Sequence, residues 1–133
     1  MPPQVTKISP VLRVRSVDDV LPFWEERLGF RRTVEIPDAD GIGFAILVHG
    51  EGDDAVEVMI QSEASAAGDM PALAGPSVPG TTVLFIEVAA LEPFLARLGP
   101  SDSVAPVRET FYGMREAILR DPAGHVVVLA QKK

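Results

Sequence analysis

The chain has 133 residues, 47% hydrophobic and 23% charged, a size and balance suited to one domain and too apolar for a disordered chain. Its 12 Lys and Arg against 19 Asp and Glu give a net charge of −7, which repels a phosphate backbone, argues against nucleic acid and favours a cationic ligand. There is no cysteine, so disulfides, thiolate nucleophiles and zinc–sulfur sites are excluded.

In chain order, Ile8 to Val14 alternates as a strand. Val20, Phe23, Trp24 and Leu28 then form a helical stripe over Glu25, Glu26 and Arg27. Pro22 fits only a first turn, so the helix is expected to start at Asp18 or Asp19, either of which can cap it, and to stop at Gly29. Phe30 to Ile36, Gly43 to His49 and Ala55 to Gln61 read as three further strands separated by Gly/Asp-rich turns. Residues 63–79 are rich in Ala, Gly, Pro and Ser without periodicity and read as a linker.

The same order then returns. Thr81 to Val88 is a strand, Leu91 to Leu98 a short helix ending at Gly99, and Val104 to Thr110, Gly113 to Arg120 and His125 to Gln131 are strands. Pro22-Phe23 recurs as Pro93-Phe94, Arg27-Leu28-Gly29 as Arg97-Leu98-Gly99, and Ala45-Ile46-Leu47 as Ala117-Ile118-Leu119. Within one domain spanning 1–133, this gives a first module over about 8–62, the linker, and a second module over about 80–131. Such a duplication pairs two β-α-β-β-β units, neither of which buries its apolar face well alone. The start, Met1 to Lys7, lacks an apolar core of signal-peptide length, and no run approaches the ~20 apolar residues of a membrane span. A soluble cytoplasmic protein without membrane partners is the default expectation.

Two stretches carry a likeness to a known family. Pro10 to Phe30 (PVLRVRSVDDVLPFWEERLGF) offers a strand, an aspartate turn, an aromatic pair and a Leu-Gly-Phe ending. Tyr112 to His125 (YGMREAILRDPAGH) offers a Gly-Met-Arg-Glu strand and an Asp-Pro-x-Gly turn. With the duplicated order, the chain resembles the vicinal oxygen chelate superfamily of glyoxalase I, extradiol dioxygenases, and fosfomycin- and bleomycin-resistance proteins. The resemblance implies an α+β fold of two tandem βαβββ modules, whose curved mixed sheets surround a cavity, and a homodimer. In metal-dependent members, His, Glu or Gln on the first and last strand of each module hold one divalent ion.

Carried over by position, those ligands fall at Ser9, with Pro10 beside it, at Val83, with Thr82 beside it, and at Val128. None is a credible divalent-metal ligand, because valine has no lone pair and a neutral hydroxyl binds weakly. The last strand of module one offers Glu57, but counting back from Gln61 by analogy with Gln131 selects Val58, which would turn Glu57 to the opposite face. No metal and no cofactor is therefore expected, with Glu57 the one weak candidate. His49 and His125 read as surface or turn residues, and Glu51, Asp53 and Asp54 as a solvated turn without calcium-loop spacing.

Alternation assigns Ser9, Val11 and Arg13 to the cavity, with Leu12 and Val14 on the helix; in module two it assigns Phe85 and Glu87 to the cavity, with Leu84, Ile86 and Val88 on the helix. Arg13 and Glu87 then occupy equivalent positions, able to pair across the floor or to clamp a polar ligand. Val126, Val128 and Ala130 line the last strand, with Met59 opposite. Trp24 is either core or cavity wall. Phe111 and Tyr112 form either an aromatic rim that stacks on a planar ligand or plain hairpin packing. Of Arg115 and Glu116, the pattern does not say which faces inward, and a cross-strand ion pair is the alternative role. The expected ligand-binding set is Arg13, Trp24, Met59, Phe85, Glu87, Phe111, Tyr112 and Arg115, and the expected function is metal-free sequestration of a small organic, cationic molecule, as in the bleomycin-resistance branch. A metal-dependent lyase or dioxygenase, or a metal-free enzyme using Arg13, Glu87 or Tyr112, is the alternative.

Overall fold

The structure is a computed structural model and describes residues 2–133. Two four-stranded mixed sheets are present, ordered β1-β4-β3-β2 and β5-β8-β7-β6. In the first, β1 (Val11–Val14) runs parallel to β4 (Val56–Ser62), which is antiparallel to β3 (Gly41–His49), itself antiparallel to β2 (Arg31–Asp38). The second repeats this with β5 (Val83–Glu87), β8 (Val126–Lys132), β7 (Met114–Arg120) and a two-residue β6 (Arg108–Glu109). The duplicated order read from the sequence is thus the α+β architecture seen. β6 is shorter than the expected strand because Pro106 has no N–H for the ladder, leaving Ser103 to pair with Leu119 as an isolated bridge.

The first crossover, α1 (Val17–Pro22), starts one residue before Asp18. Asp18 does not cap it; its carboxylate accepts the amide of Ile42 at 3.1 Å and ties the helix to β3. Pro22 sits at the end of α1, not in its first turn. It lacks the N–H that would continue the ladder, and the chain goes on as a π-helical turn over Phe23–Arg27 with Leu28 N donating to Phe23 O at 3.1 Å. Gly29, at φ +76, ends it as expected. The corresponding α3 spans only Glu92–Leu95, with Pro93 in its first turn.

Residues 63–79 are not featureless. Glu63–Asp69 form α2, capped by the Ser62 hydroxyl accepting from Ser65 N at 3.0 Å, and a 3₁₀ turn follows at Pro71–Leu73. Ala66 is buried, and so small a side chain leaves no apolar stripe to detect.

One core runs through both modules. Leu12, Val14, Ile60 and Leu47 from the first sheet meet Val17, Val20, Phe23, Trp24 and Leu28 from the crossover, and continue into Val127, Leu129 and Leu119 of the second sheet. Three polar links cross the junction. Trp24 Nε1 donates to Asp121 at 3.3 Å, Arg27 pairs with Asp102 at 3.1 Å, and His125 Nε2 meets the Arg13 carbonyl at 2.8 Å. The edge strands β1 and β5 lie alongside in opposite directions, since Arg13 shares a concavity with Thr82 and His125 while Pro10 shares another with Phe85 and Glu87. Among the described residues, no helix is long and apolar enough to cross a membrane.

Candidate functional site

Leu12 and Val14 of β1 are buried, so Val11 and Arg13 belong to the opposite, concave face. Strand register extends that face as two rows, Val11–Met59–Ile46–Val34 and Arg13–Gln61–Phe44–Ile36. In module two, Leu84 and Ile86 turn toward the core, and the concave rows are Phe85–Val128–Ile118 and Glu87–Ala130–Glu116–Arg108. The Val11 and Phe85 rows are apolar and open: Val11 is 47% exposed, Phe85 53% and Val83, two residues before Phe85, 55%.

The same register locates the chelating corner. Leu12 pairs with Ile60, and Ile86 with Leu129, so these are equivalent positions in the two modules. Val128, one residue before Leu129, lies on the concave face, and its equivalent in module one, one residue before Ile60, is Met59 in place of Val58, which is buried in the core. The count from Gln131 slips because Gln61 is matched by Ala130 and not by the second glutamine. Glu57 does face the concavity, where it accepts from Ser9 Oγ at 2.6 Å and pairs with Lys7 at 2.8 Å. Hydrogen bonds from Lys7, then from Ser9, hold its carboxyl below the ordinary 4.5. One carboxylate already bound to an ammonium and a hydroxyl, together with two valines, does not fit a divalent ion. Among the described residues, no group of three or more His, Asp or Glu side chains is placed to hold one.

Several expected site residues sit elsewhere or do other work. Arg13 and Glu87 are not paired: Arg13 donates to the Leu73 carbonyl and Glu87 pairs with Lys132 at 3.4 Å. Trp24 lies in the core with no exposed surface, edge-on to Phe23 and Phe30, and is not a wall of the concavity. Arg115 turns to the other face of β7 and pairs with Glu92 at 2.6 Å. Met59, Phe85 and Glu87 are on the concave face, Met59 beside Val11. His125 is not a surface residue; it is buried at the junction, held through Asp121 and Arg13. His49 packs edge-on to Phe30 at a strand end.

The concavity of module two holds a cluster of a different kind. Glu116 is wholly buried, yet shares its row with Glu87 and Ala130. Arg108 donates twice to its Oε1, at 2.8 and 3.1 Å, and the Tyr112 hydroxyl donates to its Oε2 at 2.6 Å. That bond to Glu116, with burial second, raises the Tyr112 phenol above its ordinary value, and Glu116 likewise raises Arg108. Phe111 stands beside Tyr112, edge to face at 5.0 Å and wholly exposed. Arg108 and Lys7 were not singled out from sequence. The apolar pair Ala117 and Leu119 was the available signal for Glu116, because it fixes the core side of β7 and leaves Glu116 with Ile118 on the other.

At the seam between the modules a trough of about 380 Å³ is lined by Pro10, Phe30, Val56, Glu57, Phe85 and Glu87. It adjoins a second, of about 390 Å³, that reaches Phe94 and Leu129. Volumes of this order suit a small organic molecule.

No curated protein matches the sequence. The fold is similar to a glyoxalase/bleomycin resistance protein/dioxygenase from Nocardioides, with TM-score 0.74 and 16% identity over 99% of this chain and 86% of that one. It is similar to TnmS3, an antibiotic binding protein from Streptomyces sp. CB03234, with TM-score 0.70 and 20% identity over 97% and 98%. It is also similar to a lactoylglutathione lyase from Agrobacterium tumefaciens, with TM-score 0.71 and 14% identity over 97% and 95%. The model of one family covers residues 6–129, nearly the whole chain. The repeat, the sheet order and that match together make this chain a member of the Glyoxalase/Bleomycin resistance protein/Dioxygenase superfamily.

Proposed function

We propose that the chain is a metal-free binding protein that sequesters a small organic molecule, working in the cytoplasm as a homodimer in which each concave face is closed by its partner's. The observation that carries the reading is the composition of the chelating corner: Ser9, a Glu57 already satisfied by Lys7, and two valines. A pocket of that make-up offers surface and shape in place of Lewis acidity. The exposed apolar rows around Val11, Val83 and Phe85 support closure by a second copy, since an open apolar face of this kind on a soluble chain calls for cover. The likeness to an antibiotic binding protein is in keeping with an antibiotic-like ligand.

The test is calorimetric titration of the purified protein with a panel of basic glycopeptide and aromatic antibiotics, with and without a chelator, alongside light scattering. Saturable binding that a chelator leaves unchanged, by a particle of twice the chain mass, is the expected result. Stoichiometric zinc, nickel, manganese or iron, removed together with binding or activity, would overturn it in favour of a metal-dependent lyase or dioxygenase.

A further inference from the structure

Among the described residues, Glu116 is the one fully buried carboxylate on the concave side, and its surroundings are asymmetric. Oε1 takes both donors of Arg108, which anchors the short β6 to β7. Oε2 is held by a single neutral donor, the hydroxyl of Tyr112. Tyr112 is half exposed and sits on a turn, closed by Thr110 N to Met114 O at 2.8 Å, whose next residue is Gly113 at φ +83 with no atom within 4 Å of where a Cβ would be. The phenol, half exposed, borders solvent into which it can swing. Beside it, Phe111 presents an entire ring to solvent with no partner except Tyr112.

We propose that Glu116 is the specificity-determining anchor for a planar, N–H-bearing organic cation, whose donor takes the place of the Tyr112 hydroxyl on Oε2 while Phe111 and the displaced Tyr112 ring stack on its plane. The inference rests on the small-molecule reading above and names its ligand class. Exchanging a neutral O–H donor for a charged N–H donor strengthens the bond to the carboxylate, and ring stacking over an aromatic pair adds to it. Arg108 stays on Oε1, so β6 remains attached and only the turn at 110–113 moves. The net charge of −7 favours entry of such a cation.

The experiment compares 9-aminoacridine, a flat N–H-bearing cation at neutral pH, with acridone, flat and uncharged, by calorimetry on the intact protein. Wild type binds the cation about tenfold or more tightly than the neutral ring, the ratio expected of a hydrogen bond to a charged group. Tyr112→Phe removes the competing hydroxyl while keeping the ring, and tightens the cation severalfold with little change for acridone. Glu116→Gln brings the two ligands to near parity. Should that variant unfold for want of its ion pair, Tyr112→Phe decides alone. A Tyr112→Phe protein that melts lower but binds the cation no better makes the cluster structural and overturns the proposal. Equal wild-type affinity for the two rings overturns the anchor but leaves the small-molecule reading standing. Saturable binding of neither ring, nor of any antibiotic in the panel, removes both.

Discussion

Trp24→Phe tests whether the junction between modules is held as the structure describes. The indole is wholly buried and spans the two halves, its Nε1 donating to Asp121 at 3.3 Å while its ring meets Phe23 and Phe30 at 5.8 and 5.3 Å. Phenylalanine removes part of the ring, about 1.5 kcal/mol for a truncation of this size in a packed core. It also removes a donor to a buried carboxylate, again about 1.5 kcal/mol, at the low end because the bond is long and Asp121 keeps the amides of Ala123 and His125. The total is about 3 kcal/mol. For 133 residues the unfolding entropy is about 0.28 kcal/mol/K, so Tm falls by about 10 °C. Far-UV circular dichroism is the assay, since the variant has lost the chain's one tryptophan. Hydrogen exchange adds a local readout. His125 holds the Arg13 carbonyl, so amides of 121–126 and of β1 are expected to lose protection together. A fall of less than about 3 °C, with protection unchanged, would refute a junction that depends on this side chain.

The carboxyl of Glu57 lies below its ordinary value in the fold, so its ionised form stabilises the native state above 4.5, and that advantage disappears as pH falls through the depressed value. Urea midpoints of wild type are expected to exceed those of Glu57→Gln at neutral pH, with the gap closing on acidification below 4.5; a widening gap contradicts the sign. Gly29→Ala places a Cβ at φ +76 and 3.3 Å from Arg97 Nη1. The arginine tip can yield but the backbone cannot, so a loss of about 1 kcal/mol is expected in the same titration. Arg115→Ala removes only the exposed pair with Glu92, and is expected to change stability by less than about 0.5 kcal/mol and to leave ligand affinity in calorimetry untouched.

What the sequence discloses about this fold follows from how far each signal reaches. Period-two alternation is local, and it sorts Leu12 and Val14 from Val11 and Arg13 without knowledge of any partner strand. The stop at Gly29 is local too. The helix at Glu63–Asp69 escapes because its cap, Ser62, sits among other serines and its buried residue is an alanine. The π-helical turn escapes because Pro22 reads as a start when it is in fact where the regular ladder fails.

The count to Val58 and the supposed floor pair fail for a different reason, one of symmetry. Matching Gln61 to Gln131 aligns letters, whereas the ladder aligns Gln61 with Ala130, because each strand's offset between modules is set by its own turn. Arg13 and Glu87 do hold equivalent positions, four residues and two rows from Ser9 and Val83 in each repeat. Equivalence, however, argues against contact within one chain. β1 and β5 pass one another in opposite directions, so positions that correspond are carried to opposite ends of the seam unless they lie where the strands cross. Arg13 consequently ends beside Thr82 and His125, and Glu87 beside Pro10 and Glu57. A duplicated sequence identifies which residues do the same job; only the direction in which the copies meet says which residues touch. The same reasoning applies to the corner itself. Glu57 shares its end of the seam with Glu87, and Thr82, next to Val83, shares the other with Arg13, so the two halves of that corner do not meet within one chain.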